Sequence, residues 1–182
     1  MKPRRNTGFT LVELLVTIAI IVVLASLVTV GVMSAKKKVK IATTKTQLDG
    51  LRTALTMYES DHSEYPYGDG NGPSSRTDPK TRDDSGNAKM VMALLGLDES
   101  GNKVGTVYWA AKEKGLGDSV SIPGAKVALD GWKVPLIYRS ACDEDGNERD
   151  DIHNPDSYDI YSCGPNMIDD GGKEDTDDIG NW

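Results

Sequence analysis

The stretch Gly8-Phe9-Thr10-Leu11-Val12-Glu13 is followed by twenty residues, Leu14 to Met33, that carry no charge. A helix of about 20 residues, rising about 1.5 Å per residue, crosses a hydrocarbon core of about 30 Å. The run therefore predicts a transmembrane helix over 9–33. Its one carboxylate, Glu13, sits at the N-terminal edge. An ionised acid at that depth is costly unless it is paired, so Glu13 is a functional candidate that needs a partner. Residues 1–8, MKPRRNTG, form a short basic leader. Lys2, Arg4 and Arg5 favour the cytoplasmic side for it. Lys36, Lys37, Lys38 and Lys40 flank the other end of the run and oppose that bias. A secretory signal peptide would be cut behind the apolar run, at a small-residue site. The best such site, Ser34-Ala35, lies directly before three lysines and is poorly suited to export. A cut between Gly8 and Phe9 removes the leader and keeps the helix.

The helical pattern continues past Met33. Ile41, Leu48, Leu51, Leu55 and Tyr58 fall on one helix face. No proline occurs between Pro3 and Pro66. A single helix over 9–62 is expected, about 80 Å long, with an amphipathic second half that needs a small domain to cover it. Residues 63–129 read as a variable region: loop composition over 67–87, a short helix over Asn87–Leu97, and an ambiguous segment at Val107–Lys114. Val134–Ala141 and Ser157–Cys163 have strand composition and predict a hairpin. Centred near Arg149, that hairpin sets Cys142 opposite Ser157 and Cys163 opposite Leu136. The two cysteines are then about 20 Å apart at about 3.3 Å per residue, too far for a disulfide. The last nineteen residues show no periodicity and are expected to be disordered unless something binds them.

Charge is unevenly placed. The chain carries −7 overall, whereas Asp143 to Trp182 alone holds fourteen acids against Arg149 and Lys173. So acidic a region argues against nucleic acid, whose phosphates need Lys and Arg. It suits a hard divalent cation, which takes oxygen ligands from carboxylates, amides and backbone carbonyls. No catalytic constellation is present: His62 and His153 read as lone surface histidines, and the sequence has no Gly-x-Ser-x-Gly, Walker loop or Cys-x-x-Cys. The chain does not read as an enzyme.

The opening motif resembles that of type IV pilin-like precursors, and the C-terminal half narrows the resemblance. Tyr65-Pro66, Asp130-Gly131-Trp132-Lys133-Val134-Pro135, Tyr158-Asp159-Ile160-Tyr161-Ser162-Cys163-Gly164 and the final Asp177-Asp178-Ile179-Gly180-Asn181-Trp182 resemble segments of the major pseudopilins of type II secretion systems. The family pattern Asp-Pro-Trp is here Asp-Gly-Trp, and 67–129 lies outside the likeness. The resemblance implies an α+β, pilin-like fold: a long N-terminal helix packed on a small domain over 130–182, with a short antiparallel sheet and a metal-binding loop. It implies a prepilin peptidase that cuts after Gly8 and methylates Phe9, and an amine on Phe9 that pairs with Glu13 of a neighbouring copy. It implies one calcium ion at Asn166, Asp177 and Asp178, with backbone oxygens near Cys163 and Ile168. Asp169, Asp170 and Asp175 could compensate for the neutral Asn166.

The implied function is that of a structural subunit. It would sit in the inner membrane as a single-pass protein with its C-terminal domain in the periplasm. There it would polymerise with itself into a pseudopilus that drives export of folded proteins. Minor pseudopilins and an inner-membrane assembly platform are the expected partners. The alternative is a true type IV or competence pilin whose surface filament serves adhesion, motility or DNA uptake. The mature chain should begin at Phe9, so the intact mass of membrane-extracted protein should match residues 9–182 plus one methyl group. A mass showing a cut near Ser34, or no cut, contradicts this.

Overall fold

The computed structural model describes residues 9–70, 83–142, 146–171, 173 and 176–182, with side chains at 27–31 left aside. The expected leader and Gly8 lie outside the described residues. The chain divides into two compact units after Lys38. Helix α1, Leu11–His62, runs through both. It stops at Ser63, whose φ of 62° is left-handed, ahead of Pro66, which cannot continue a helix.

In the first unit the large apolar side chains from Phe9 to Leu24 are exposed on every side of the helix. A helix that is apolar all round needs an apolar surrounding. Among the described residues, no helix is long and apolar enough to cross a membrane.

The second unit is α+β. Leu48, Leu51, Ala54 and Leu55 of α1 are buried. They form one core with Met90, Val91 and Leu94 of α2 (Ser85–Leu95), with Leu136 and Tyr138, and with Tyr158 and Ile160. The predicted stripe is thus the buried one, with Ile41 and Tyr58 half-buried at its ends. Helix α2 begins and ends two residues before the expected Asn87–Leu97. It ends early because Gly96 takes a left-handed conformation (φ 66°), and the amides of Gly96 and Leu97 turn back to Ala93 and Met92, a typical helix stop.

The expected sheet is two sheets. Strands β3 (Ile137–Ser140) and β4 (Tyr158–Tyr161) pair antiparallel, Ile137 opposite Tyr161 and Ser140 opposite Tyr158. The register differs by one residue from the expected one. The connection is not a simple loop: Cys142 bridges Glu148, and buried Asp159 ties down the turn at His153 and Asn154. These two features, not a tight turn, set the pairing. The strands are shorter than the sequence suggested because their ends pair elsewhere, Pro135 with Leu129 and Ser162 with Ile179. Cys142 is exposed and Cys163 buried beside Ile137 and Tyr161, and the two are not disulfide-bonded. The second sheet, β1 (Leu116–Asp118) with β2 (Lys126–Ala128), falls in 63–129, which carries more structure than a loop and a short helix. Its strands have three residues each, too short for alternation to register in the sequence.

Buried polar side chains join these short pieces. Asn87 of α2 donates to the carbonyls of Ala128 (2.9 Å) and Leu136 (2.7 Å) and accepts from the Ala128 amide (2.8 Å). Asp84, just before α2, accepts from the Ser119 hydroxyl and the amides of Val120 and Ser121. Burial alone would raise the Asp84 carboxyl, but these donors outweigh it and hold the group below the ordinary carboxylate range.

Asn87→Ala removes one partner from each of three buried hydrogen bonds to the Ala128 and Leu136 backbone groups and should destabilise the domain by about 3 kcal/mol or more, read by urea denaturation. Because the folded Asp84 titrates below the unfolded one, its stabilising contribution is full above the ordinary carboxylate value and is lost as pH falls through the depressed value. Asp84→Asn should therefore be less stable at neutral pH and show a flatter loss of stability in acid.

Candidate functional site

Two places gather the residues singled out above. The first is the start of α1. Phe9 is 81% exposed. The Thr10 amide donates to Glu13 Oε2 (2.9 Å), as does the Thr10 hydroxyl (2.8 Å), and the Glu13 amide donates to Thr10 Oγ1 (3.2 Å). This reciprocal Thr-x-x-Glu arrangement is a capping box, which satisfies amides that a helix start leaves unpaired. Within one chain Glu13 is thus not an idle acid in an apolar run. It faces back toward the amide one residue after Phe9, so its carboxylate already lies in the turn next to the candidate new terminus. Thr10 is the residue missed by sequence reasoning, although Thr and Glu three apart ahead of an apolar run is a legible signal.

The second place is the C-terminal loop. Asp170, Asp177 and Asp178 each bring a carboxylate oxygen within 4.8 Å of the others, and all three residues are half-buried. Asn166 organises this group. Its amide donates to Asp177 Oδ2 (2.8 Å), and its side-chain nitrogen donates to Asp170 Oδ2 (3.0 Å). Its side-chain oxygen instead accepts from the Ile168 amide (2.6 Å). Asn166 therefore positions acids in this arrangement, and Asp170 stands as the third carboxylate beside Asp177 and Asp178. Asp169 is engaged by the Tyr161 hydroxyl (3.0 Å), and Asp175 lies outside the described residues. Gly164, with φ 62°, lets the chain pass against Asp177: a Cβ there would overlap the Asp177 carbonyl. This close pass brings the segment after Cys163 beside 177–178.

The described residues of this loop make contacts of their own. Ile179 and Ser162 exchange both amide–carbonyl bonds (3.0 Å each). Asn181 accepts from the Ile160 amide (2.8 Å) and donates to the Tyr158 carbonyl (2.9 Å). Trp182 stacks on His153, ring centres 4.3 Å apart, and meets Tyr161 edge-on. His153 is a surface residue but not a lone one; it also reaches Asp159 through Nδ1 (3.0 Å). His62 likewise stacks on Tyr58.

The motif Asp130-Gly131-Trp132 locks this region to α1. Asp130 is buried. It accepts from the amides of Trp132 and Val134 and from the Ser162 hydroxyl (2.6 Å). Burial pushes its carboxyl above the ordinary range despite these donors. The Gly131 amide donates to Thr44 Oγ1 of α1 (2.9 Å), and a Cβ at 131 would overlap the Lys40 carbonyl.

Comparison with known proteins bears on the first place and on the family of the chain. Residues 3–29 match the prokaryotic N-terminal methylation motif. The type II secretion system core protein G of Aeromonas hydrophila is 35% identical over 97 residues, which cover 50% of this chain and 68% of that protein. The protein of the same name from Klebsiella pneumoniae is 28% identical over 182 residues, 98% of this chain and 96% of that one. That from Dickeya chrysanthemi is 43% identical over 63 residues, 35% of this chain and 41% of that one. No solved structure matches.

Proposed function

Because this chain belongs to the family of type II secretion system core protein G, the major pseudopilin, we propose how its residues carry out a pseudopilin's work. The chain is a structural subunit whose mechanism is assembly, not catalysis. A prepilin peptidase cuts after Gly8 and methylates the amine of Phe9. The helix over 9–33 anchors the subunit in the inner membrane, with the domain from Val39 onward in the periplasm. Subunits leave the bilayer and stack into a pseudopilus, aided by minor pseudopilins and an inner-membrane assembly platform, and its growth drives folded proteins outward.

The observation that carries this reading is the start of α1: an apolar surface exposed all round, opened by a carboxylate held one turn from the new terminus. A free amine and a free carboxylate are each costly in an apolar medium, and a close pair offsets much of that cost. In the isolated subunit Glu13 satisfies Thr10. On joining a filament it exchanges that internal donor for the amine on Phe9 of a neighbouring copy. Removal of the leader thus creates the partner that Glu13 accepts.

The C-terminal loop is the place this reading gives to calcium. Asp170, Asp177 and Asp178 offer three acidic oxygens within 4.8 Å of one another, and such a group of hard oxygen donors fits a hard cation. These residues would hold the ion, with Asn166 and carbonyls near Cys163 and Ile168 completing the loop. Bound calcium would relieve the repulsion among the three carboxylates and add to the contacts of Ile179, Asn181 and Trp182.

Glu13→Ala should leave export and cleavage intact but block pseudopilus growth and secretion of the system's substrates, scored by secretion assay and by crosslinking between subunits. Assembly at the wild-type level would refute the pairing. Calcium at about 100 times its dissociation constant should stabilise the soluble domain by about 2.7 kcal/mol, seen as a rise in Tm over the chelated protein. Asp178→Ala and Asp170→Ala should each remove most of that rise, and a Tm indifferent to calcium would refute the site.

A further inference from the structure

We propose that Lys36, Lys37 and Lys38 form a cationic collar that binds the anionic headgroups of the bilayer leaflet facing the globular domain. The collar depends on the membrane-spanning helix proposed above. All three lysines are exposed, and α1 continues through them without a break. The last residue of the uncharged run is Met33, so Lys36 stands about 4.5 Å beyond it along the helix axis. Between Glu13 and Asp49 the sequence has no acid. None of the three lysines therefore has a carboxylate three or four residues away, the spacing at which a helix pairs charges along its own surface.

Their placement around the axis identifies the kind of partner. Successive helical residues turn by about 100°, so three in a row cover more than half of the circumference. A single protein surface meets a helix from one side and engages only part of such an arc. A headgroup layer surrounds the helix and can engage all three. The three Cα positions span about 3 Å along the axis, whereas one headgroup layer is about 5–8 Å thick. The aliphatic stems can lie along the acyl boundary while the ammonium groups reach phosphates. Lys40, the next lysine, is used differently: its ammonium lies 6.0 Å from the Trp132 ring. The collar, with Lys40, opposes the orienting bias of the leader's Lys2, Arg4 and Arg5, so it does not serve to set the topology. The collar fixes the depth of the helix and sets an electrostatic resistance to extraction of the subunit from the bilayer.

The test uses the full chain, diluted from detergent into vesicles of phosphatidylcholine alone or of phosphatidylcholine with phosphatidylglycerol, and measures partition by co-flotation. The comparison is with the triple variant Lys36→Gln, Lys37→Gln, Lys38→Gln, whose helix content is checked by circular dichroism, and with the corresponding triple Lys→Arg variant. Each lysine near an anionic surface is worth about fivefold in partition. Wild type should therefore exceed the Gln variant by about 100-fold in anionic vesicles and by less than about twofold in neutral ones. The Arg variant should match wild type, and salt at about 0.5 M should erase most of the difference. Equal partition of wild type and the Gln variant into anionic vesicles overturns the collar but leaves the span. Failure of every form to enter neutral vesicles overturns the span and the collar with it. If the Gln variant partitions normally yet crosslinks poorly to itself, the lysines serve a second copy of the chain and the proposal is wrong.

Discussion

The domain exists to cover one stripe of α1. Leu48, Leu51, Ala54 and Leu55 present an apolar edge that a solvated helix could not leave bare without loss, about 1.5–3 kcal/mol for each large side chain. Helix α2, Leu136 and Tyr138, and Tyr158 and Ile160 all converge on it. The order of dependence runs from helix to domain. Among the described residues of the second unit little else is regular, and the longest element there after α1 has eleven residues. A helix of that length is marginal by itself, so it holds its place through Met90, Val91 and Leu94 against the stripe.

A unit with so little ladder hydrogen bonding has to satisfy its backbone in other ways. Here side chains act as local substitutes for strands. Asn87 stands between the carbonyls of Ala128 and Leu136 as a neighbouring strand would. Asp84 collects the 119–121 turn, Asp130 the 132–134 turn and Asp159 the 153–154 turn, each buried carboxylate organising the amides of one loop. Buried polar groups of this kind are costly when left half-satisfied, which makes the loops as specific in geometry as the strands they join. The C-terminal region follows the same logic, with Asn181 spanning the edge of β4 where a further strand could have paired.

What the sequence disclosed and what it concealed divides along range. The long helix was legible because its apolar period persists over dozens of residues and no proline interrupts it. The β3–β4 pair was legible because Ile137, Tyr138, Ile160 and Tyr161 are strong strand formers between turn-rich flanks. Its register was not, since Asp159 and the Cys142–Glu148 bridge set it through contacts within an acidic loop that has no periodicity of its own. The sheet at 116–118 and 126–128 was hidden by its brevity. At the metal-binding candidate, Asp177 and Asp178 could be read from the resemblance. Asp170 is among the compensating acids the sequence offers; its place beside Asp177 and Asp178, the engagement of Asp169 by Tyr161 and the direction of the Asn166 side-chain amide are properties of the folded loop. The capping role of Thr10 was visible in its spacing to Glu13, but the absence of charge around it drew attention to the acid alone.

Gly131 shows how the helix and the loop constrain each other over time. Its amide reaches Thr44, and its missing side chain leaves space for the Lys40 carbonyl. A proline here, the residue in the pattern this segment resembles, has no amide hydrogen and would carry ring atoms into that carbonyl. Neither the loop nor the helix can then drift toward that pattern one substitution at a time. A change at 131 is tolerated only on a background in which α1 has already moved or Thr44 has already found another donor. The two segments form an epistatic pair, and a chimera that takes the loop from one lineage and the helix from another inherits a clash that neither parent contains.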